Sequence, residues 1–297
     1  MNTEKVMQDL QAGNLRSLAR CISIVENDLP GSEELLRALR PSKVPVIGIT
    51  GPPGAGKSSL VNELLIRLSA SGKKIGVIAV DPTSPFHRGS LLGDRIRMSE
   101  HFNNPSVFIR SLATRGSLGG LSSRILEISD VMRAAAFDLL IIETVGVGQS
   151  EVEIAGLADV TILVLVPEAG DEIQQIKSGI MEIGDLFVVN KADRPGADRF
   201  VKSLFDSMRD DPHQKRDIIK TVATTGEGVD VLLEKVMNIK AGNDEPKHLW
   251  LLTEKAWHLI QNRKMQGISK TLIEADIKEK KSLNMTFNLY QYIEKWL

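Results

Sequence analysis

The chain has 297 residues, 42% of them hydrophobic and 25% charged, with 37 Lys plus Arg against 38 Asp plus Glu for a net charge of -1. That balance describes an ordinary globular protein with room for one α/β domain of about 200 residues plus appendages, and it supports neither a nucleic-acid partner nor an anionic membrane surface. A single cysteine, Cys21, excludes an internal disulfide and a multi-cysteine zinc site, no apolar run approaches the roughly 18 residues of a membrane span, and the opening Met1 to Val6 has no signal-peptide core, so the expectation is a full-length cytoplasmic protein.

Residues 1–42 carry apolar positions at helical spacing (Leu10, Leu15, Leu18, Ile22, Val25, then Leu35, Leu36, Leu39), broken at Pro30-Gly31 and ended by Pro41. They predict a small helical prefix. From Val44 onward, short β-branched runs alternate with longer amphipathic segments: Val46 to Thr50, Ile75 to Val80, Val107 to Ile109, Leu139 to Ile142, Val160 to Val166, Leu186 to Val189 and Ile218 to Val222. Nearly all lack internal polar alternation, as strands covered on both faces do, which predicts an α/β fold with a mostly parallel sheet over residues 43–242. Beyond that the pattern turns helical again over Trp250 to Gln266, Ile268 to Lys281 and a last stretch ending at Trp296. Residues 243–297 hold all three tryptophans and both tyrosines, a load that suits either a local core or an oligomer contact.

The first strand runs into Gly51-Pro52-Pro53-Gly54-Ala55-Gly56-Lys57-Ser58, followed by Ser59-Leu60-Val61 in a helical pattern. This is a phosphate-binding loop in its strand-loop-helix context. Its glycines let backbone N–H groups wrap a phosphate, the following helix turns its positive end toward the same anion, Lys57 supplies a mobile cation and Ser58 a hydroxyl for Mg²⁺. The second strand ends in Asp81-Pro82-Thr83-Ser84, and Asp94 follows in Gly93-Asp94-Arg95; both acids are able to approach a metal, although an ordinary strand-end or cap aspartate reads the same way. Glu143 caps the strand Leu139 to Ile142 and leads Thr144-Val145-Gly146-Val147-Gly148-Gln149, where the acid can polarise Mg²⁺ or its water and Gly146 can donate its N–H to a γ-phosphate. Histidines 87, 101, 213, 248 and 258 have no ligand spacing.

Asn190-Lys191-Ala192-Asp193 stands at the end of the strand Leu186 to Val189, where ligands of an open parallel sheet gather. A carboxylate at Asp193 can accept from the ring N–H and exocyclic amine of guanine, a donor pair that adenine lacks. Ala223-Thr224-Thr225, after the next strand, fits a loop lying over the guanine ring, though alone it would mean only a turn. The cofactors expected are therefore GTP or GDP with Mg²⁺.

These strings, together with Arg115-Gly116-Ser117-Leu118-Gly119-Gly120-Leu121 and Gly170-Asp171-Glu172-Ile173-Gln174-Gln175-Ile176-Lys177, resemble the MeaB/ArgK/MMAA group of P-loop GTPases, chaperones of adenosylcobalamin-dependent methylmalonyl-CoA mutase. The resemblance runs from about residue 10 to 240 and more loosely through the helical tail. It implies that Ser58, Asp81, Asp94 and Glu143 surround the Mg²⁺, that Lys57 meets the phosphates and that Asp193 reads guanine. It also implies a first switch around Asp81 to Asp94, a second over Glu143 to Gln149, and a third, with Gly170, Asp171, Glu172 and Lys177, that senses a mutase. A homodimer held partly through the C-terminal helices is implied as well. Gln149 and Arg115 are the candidates for orienting the attacking water or supplying an arginine. The alternatives are a GTP-dependent metallochaperone of the same wider class, and the amino-acid-transport kinase of older family labels.

Overall fold

Buried runs without polar alternation can only be stable where something covers both faces, and the structure supplies that cover. In the computed structural model, residues 3–40, 43–81, 98–113, 124–144, 154–170, 180–208, 216–239, 245–265, 267–282 and 288–296 are described. Among them seven strands form one parallel sheet: β1 (Val46–Thr50), β2 (Ile75–Asp81), β3 (Val107–Ala113), β4 (Leu139–Glu143), β5 (Val160–Leu165), β6 (Leu186–Val189) and β7 (Asp217–Lys220), in the spatial order β3-β2-β4-β1-β5-β6-β7. The expected doubly covered sheet is what the chain builds. β3 runs past Ile109 to Ala113 because β2 extends alongside it to Asp81, and as an edge strand it accommodates Arg110, which the apolar pattern had excluded. β7 ends at Lys220, and Val222 is instead bridged to Glu227 in an antiparallel turn.

Side chains alternate across the strands, so each face receives its own set. On one face Ile47, Ile49, Val77, Ile141, Ile162 and Val164 pack against Leu60, Val61, Leu64, Leu65 and Leu68 of α4 (Lys57–Ala70) and Val229, Leu232 and Val236 of α8 (Val229–Met237). Each such side chain, fully withdrawn from water, contributes about 1.5–3 kcal/mol of gross burial energy. On the opposite face Val46, Ile78, Leu140 and Ile142 meet Ile125, Ile128 and Met132 of α5 (Ile125–Arg133) and the helical prefix, which folds as α1 (Thr3–Gln11), α2 (Leu15–Glu26) and α3 (Ser32–Ala38). Leu10, Leu18, Ile22, Val25 and Leu35 supply the prefix's share of that core. Ion pairs from Arg110 to Glu26 and from Arg124 to Asp28 (2.7 Å) fasten it. A third cluster joins Leu163, Leu165, Phe187 and Val189 to Met181 of α6 (Ile180–Ile183) and to Phe200 and Leu204 of α7 (Ala197–Met208).

The chain divides into two compact units, Met1–Leu251 and Leu252–Leu297. Helix α9 (Glu245–Lys264) begins before the Trp250 that the periodicity marked, and α10 (Lys270–Ser282) and α11 (Leu289–Ile293) follow. No helix among the described residues is long and apolar enough to cross a membrane. In the second unit Asn288 caps α11 through its side chain, Tyr292 is buried, and its ring meets Trp296 edge-on at 6.4 Å.

Candidate nucleotide site

In this sheet the chain leaves β1 toward one edge and crosses back to β5 on its other side, so the reversal that makes a binding crevice falls at the carboxyl end of β1. There the chain enters the glycine-rich loop. Gly51 has φ 139°, and a Cβ built on it would stand 2.0 Å from the Val164 carbonyl oxygen of β5; no other residue lets the loop pass so close. Helix α4 then starts from Gly56 with no side-chain cap, so its amino end, the positive end of the helix dipole, opens on the glycine-rich loop.

The Lys57 ammonium is buried in the loop, donating to the carbonyls of Gly51 at 2.8 Å and Pro52 at 3.0 Å. The loop's own backbone thus holds the cation within the loop rather than in solvent. Beside it the Ser58 hydroxyl donates to Glu143 Oε1 at 2.7 Å, both residues being buried. The contact exists because β4 lies directly against β1, with Ile49 opposite Glu143. One residue further on, the hydroxyls of Thr50 and Thr144 are 2.9 Å apart, tying the loop's entry to the segment after β4. A hydroxyl and a carboxylate converging in a buried niche are hard oxygen donors, the type that suits Mg²⁺.

The sequence also placed Asp81 and Asp94 near that metal. Asp81 ends β2, two positions past the Ala79 that pairs with Glu143, so its backbone lies at the same carboxyl rim; its side chain, and Asp94, Gly146 and Gln149, are outside the described residues. The same holds for Asp171, Glu172 and Lys177, and of Gly170 only the backbone is described, at the end of the 3-10 turn Pro167–Gly170.

On the other side of β1, Asn190 is buried and works as a three-way clasp. Its Nδ2 donates to the Ala55 carbonyl at 2.9 Å, while its Oδ1 accepts from the Thr221 hydroxyl and the Ala223 N–H, each at 3.1 Å. Lys191 takes φ 56° and donates from Nζ to the Gly54 carbonyl at 2.8 Å. The phosphate loop and the Ala223-Thr224-Thr225 loop are therefore joined through Asn190, Lys191 adds a second bond to the phosphate loop, and Asp193 itself is left exposed. Its neighbour Arg194 pairs with Glu168, and that guanidinium holds the Glu168 carboxyl below the usual carboxylate range. Both side chains are exposed, so the pair is worth little to stability.

Contacts that no motif announced include the Thr50–Thr144 pair and Arg67, which reaches from α4 to Gly226 and Asp230. Nothing in local periodicity could find them, since each joins segments far apart in the chain. His101, read from sequence as having no ligand role, is buried with a ring nitrogen 2.8 Å from Asn62 Oδ1 of α4, and burial lowers its pKa. A cavity of about 340 Å³ lined by Met7, Gln11, Arg40, Lys43 and Arg133 contains none of the motif residues.

Comparisons with known proteins place this geometry in a lineage. The family model described as methylmalonyl-CoA mutase-associated GTPase MeaB matches residues 18–272. A protein of Pyrococcus horikoshii described as a GTPase is 44% identical over 287 residues, covering 93% of this chain and 90% of that one. The mitochondrial methylmalonic aciduria type A homolog of Caenorhabditis elegans is 40% identical over 209 residues, 65% of this chain and 52% of that one. Among solved structures, a LAO/AO transport system kinase matches with TM-score 0.63 at 24% identity, covering 99% of this chain and 96% of that one; this likeness is one of fold.

Proposed function

We propose, from the premise that the chain belongs to the methylmalonyl-CoA mutase-associated GTPase MeaB family and is a P-loop GTPase, that it serves an adenosylcobalamin-dependent acyl-CoA mutase as a chaperone. In this reading its GTP state gates loading and protection of the mutase's cofactor. The observation that carries the chemistry is the buried Ser58–Glu143 oxygen pair beside the loop-held Lys57.

Lys57 places positive charge where the transferred phosphoryl group gathers electrons, and the N–H groups of the loop and of the first turn of α4 surround the same group; this is positioning and electrostatic stabilisation rather than covalent chemistry. Ser58 and Glu143, with Asp81 and Asp94 reaching in from the first switch, would hold Mg²⁺. When bound, Mg²⁺ neutralises charge on the phosphate oxygens. Asp193, exposed at the rim, accepts from guanine, and Ala223 to Thr225 cover the ring. Thr144, clasped to Thr50, starts the segment through Gly146 and Gln149 that responds to the γ-phosphate. Gly170 to Lys177 carries that response to the mutase. The second unit, with its exposed aromatic side chains, supplies the homodimer contact.

A metallochaperone is the weaker reading: Cys21 is the chain's sole cysteine and is buried, and burial raises its thiol pKa, which works against the thiolate a soft metal needs. An amino-acid kinase needs a phospho-acceptor site, and no motif in the chain resembles one.

The experiment is GTP turnover with and without a cobalamin-dependent acyl-CoA mutase, expected to rise on addition. No stimulation by any such mutase removes the partner. Alongside it, Asp193→Asn should cost about 2–4 kcal/mol of GTP affinity, with xanthosine triphosphate recovering binding. Undiminished GTP affinity in a titration removes the guanine assignment.

A further inference from the structure

Helix α4 carries site residues at one end and a loop contact at the other. Its first turn carries Lys57 and Ser58, and its last turn carries Arg67. The Arg67 guanidinium has partners on three segments: Glu63, one turn back on α4; Asp230 Oδ1, 3.0 Å from Nε, in the first turn of α8; and the Gly226 carbonyl, 3.3 Å from Nη2. Gly226 turns the loop that follows Ala223-Thr224-Thr225. It takes φ 78°, and a Cβ built there would stand 2.4 Å from Arg67 Nη2. The loop's backbone is therefore seated against the guanidinium with no room for a side chain between them.

The same loop is closed on itself by Val222 N–H to the Glu227 carbonyl and Gly226 N–H to the Val222 carbonyl, each at 2.9 Å. On its inner side it is held by the bond from Ala223 N–H to Asn190 Oδ1. Asn190 fixes where the loop begins, and Arg67 fixes where it turns. A rigid helix whose amino end sets the phosphate position and whose last turn sets the base-covering loop also sets the distance between the two subsites.

We propose that Arg67 is a positioning residue for base selectivity: by seating on α4 the Val222–Gly228 loop, which the Ala223 N–H ties to Asn190 of the Asp193 motif, it holds the base where Asp193 distinguishes guanine from adenine. This rests on the nucleotide reading above, and it assigns a role to a residue outside every nucleotide-binding motif. Arg67 touches neither phosphate nor metal positions, so its loss acts on the base and leaves the phosphate subsite intact.

The test is calorimetric titration of the parent chain, Arg67→Met, Arg67→Lys and Asp230→Asn with GDP, ADP and inorganic pyrophosphate. Arg67→Met should weaken GDP by about tenfold, the scale of losing hydrogen bonds from a charged group, while ADP and pyrophosphate change by less than about twofold. Arg67→Lys should recover part of the loss, since a lysine can reach one partner but not three. Asp230→Asn, which keeps the arginine, should weaken GDP by about threefold, and it carries the test if Arg67→Met does not fold. A parallel loss for all three ligands would mean a structural role only and overturns the proposal, as does an unchanged GDP-to-ADP ratio. A parent chain that binds GDP and ADP equally overturns the guanine reading beneath it, and the two failures are thereby told apart.

Discussion

The carboxyl rim of the sheet and the C-terminal helical unit treat their apolar residues in opposite ways. Every residue of β1, β4 and β6 is buried, and above them Ser58 donates to Glu143 while Lys57, Asn190 and Lys191 donate to the Gly51, Ala55 and Gly54 carbonyls of the glycine-rich loop. In the second unit, by contrast, Leu252, Trp257, Ile260, Met265, Leu272, Leu289 and Tyr290 are exposed, and Tyr292 is buried. The first region is closed by contacts within one chain and has no room for a Cβ at Gly51. The second leaves exposed apolar side chains of the kind that mark association surfaces. Closed loops and exposed apolar side chains are therefore found in separate parts of the molecule.

The sharpest way to break this contrast is to add one methyl group at the rim. Gly51→Ala forces a Cβ into the Val164 carbonyl at a φ that alanine does not adopt, and it should lose about 3 kcal/mol or more of stability, read as a lower urea midpoint. An unchanged midpoint would mean that the rim has slack after all.

A much larger chemical change in the other region should do less. Trp257→Glu replaces a side chain that is 57% exposed, so the urea midpoint of the chain should move by no more than about 0.5 kcal/mol. If the second unit supplies the proposed homodimer contact, light scattering should nevertheless report a halved mass. A shift in midpoint with the mass unchanged would place Trp257 in a core rather than a contact.

The smallest effect is one of pH. Burial holds the His101 pKa below a histidine's ordinary 6.5, against the nearby Glu100 carboxylate that raises it. The unfolded chain therefore takes up a proton before the folded one does. Stability is complete above pH 6.5, declines as pH falls below it, and stops declining below the folded pKa. His101→Gln, which can keep a donor toward Asn62 Oδ1, should flatten that slope in thermal melts between pH 7 and about 5. A slope identical to the parent's would assign it to another group.

How far these properties could be read in advance depended on how local they are. Six strand runs came within a residue or two of their observed ends, because an apolar run between turn signals is a local pattern. The seventh, Val107 to Ile109, was short by four residues: Arg110 reads as polar and ends the run, yet as an edge-strand residue paired with Glu26 it is tolerated. The glycine loop was legible because phosphate binding needs small residues at fixed spacing, and Asn190 to Asp193 because it follows a strand. Asn190's part as a clasp between two loops was not legible, since its partners Ala55 and Ala223 lie far away along the chain. Nor was the prefix's place on the sheet: helical spacing shows that a face must be covered, never by what.

The sequence by itself determined the local pieces: a glycine-rich loop between a strand and a helix, a lysine and a hydroxyl at its end, acids at strand ends, and an Asn-Lys-Ala-Asp string after a strand. Those follow from residue type and spacing over a few positions, where backbone geometry transmits directly. Only the tertiary structure decided which of these groups meet. Ser58 reaches Glu143 because strand order sets β4 beside β1, and Arg67 reaches Gly226 because α4 and α8 pack on the same face of the sheet. Strand order is selected by the burial of whole faces, a sum over many side chains that no short stretch of sequence contains.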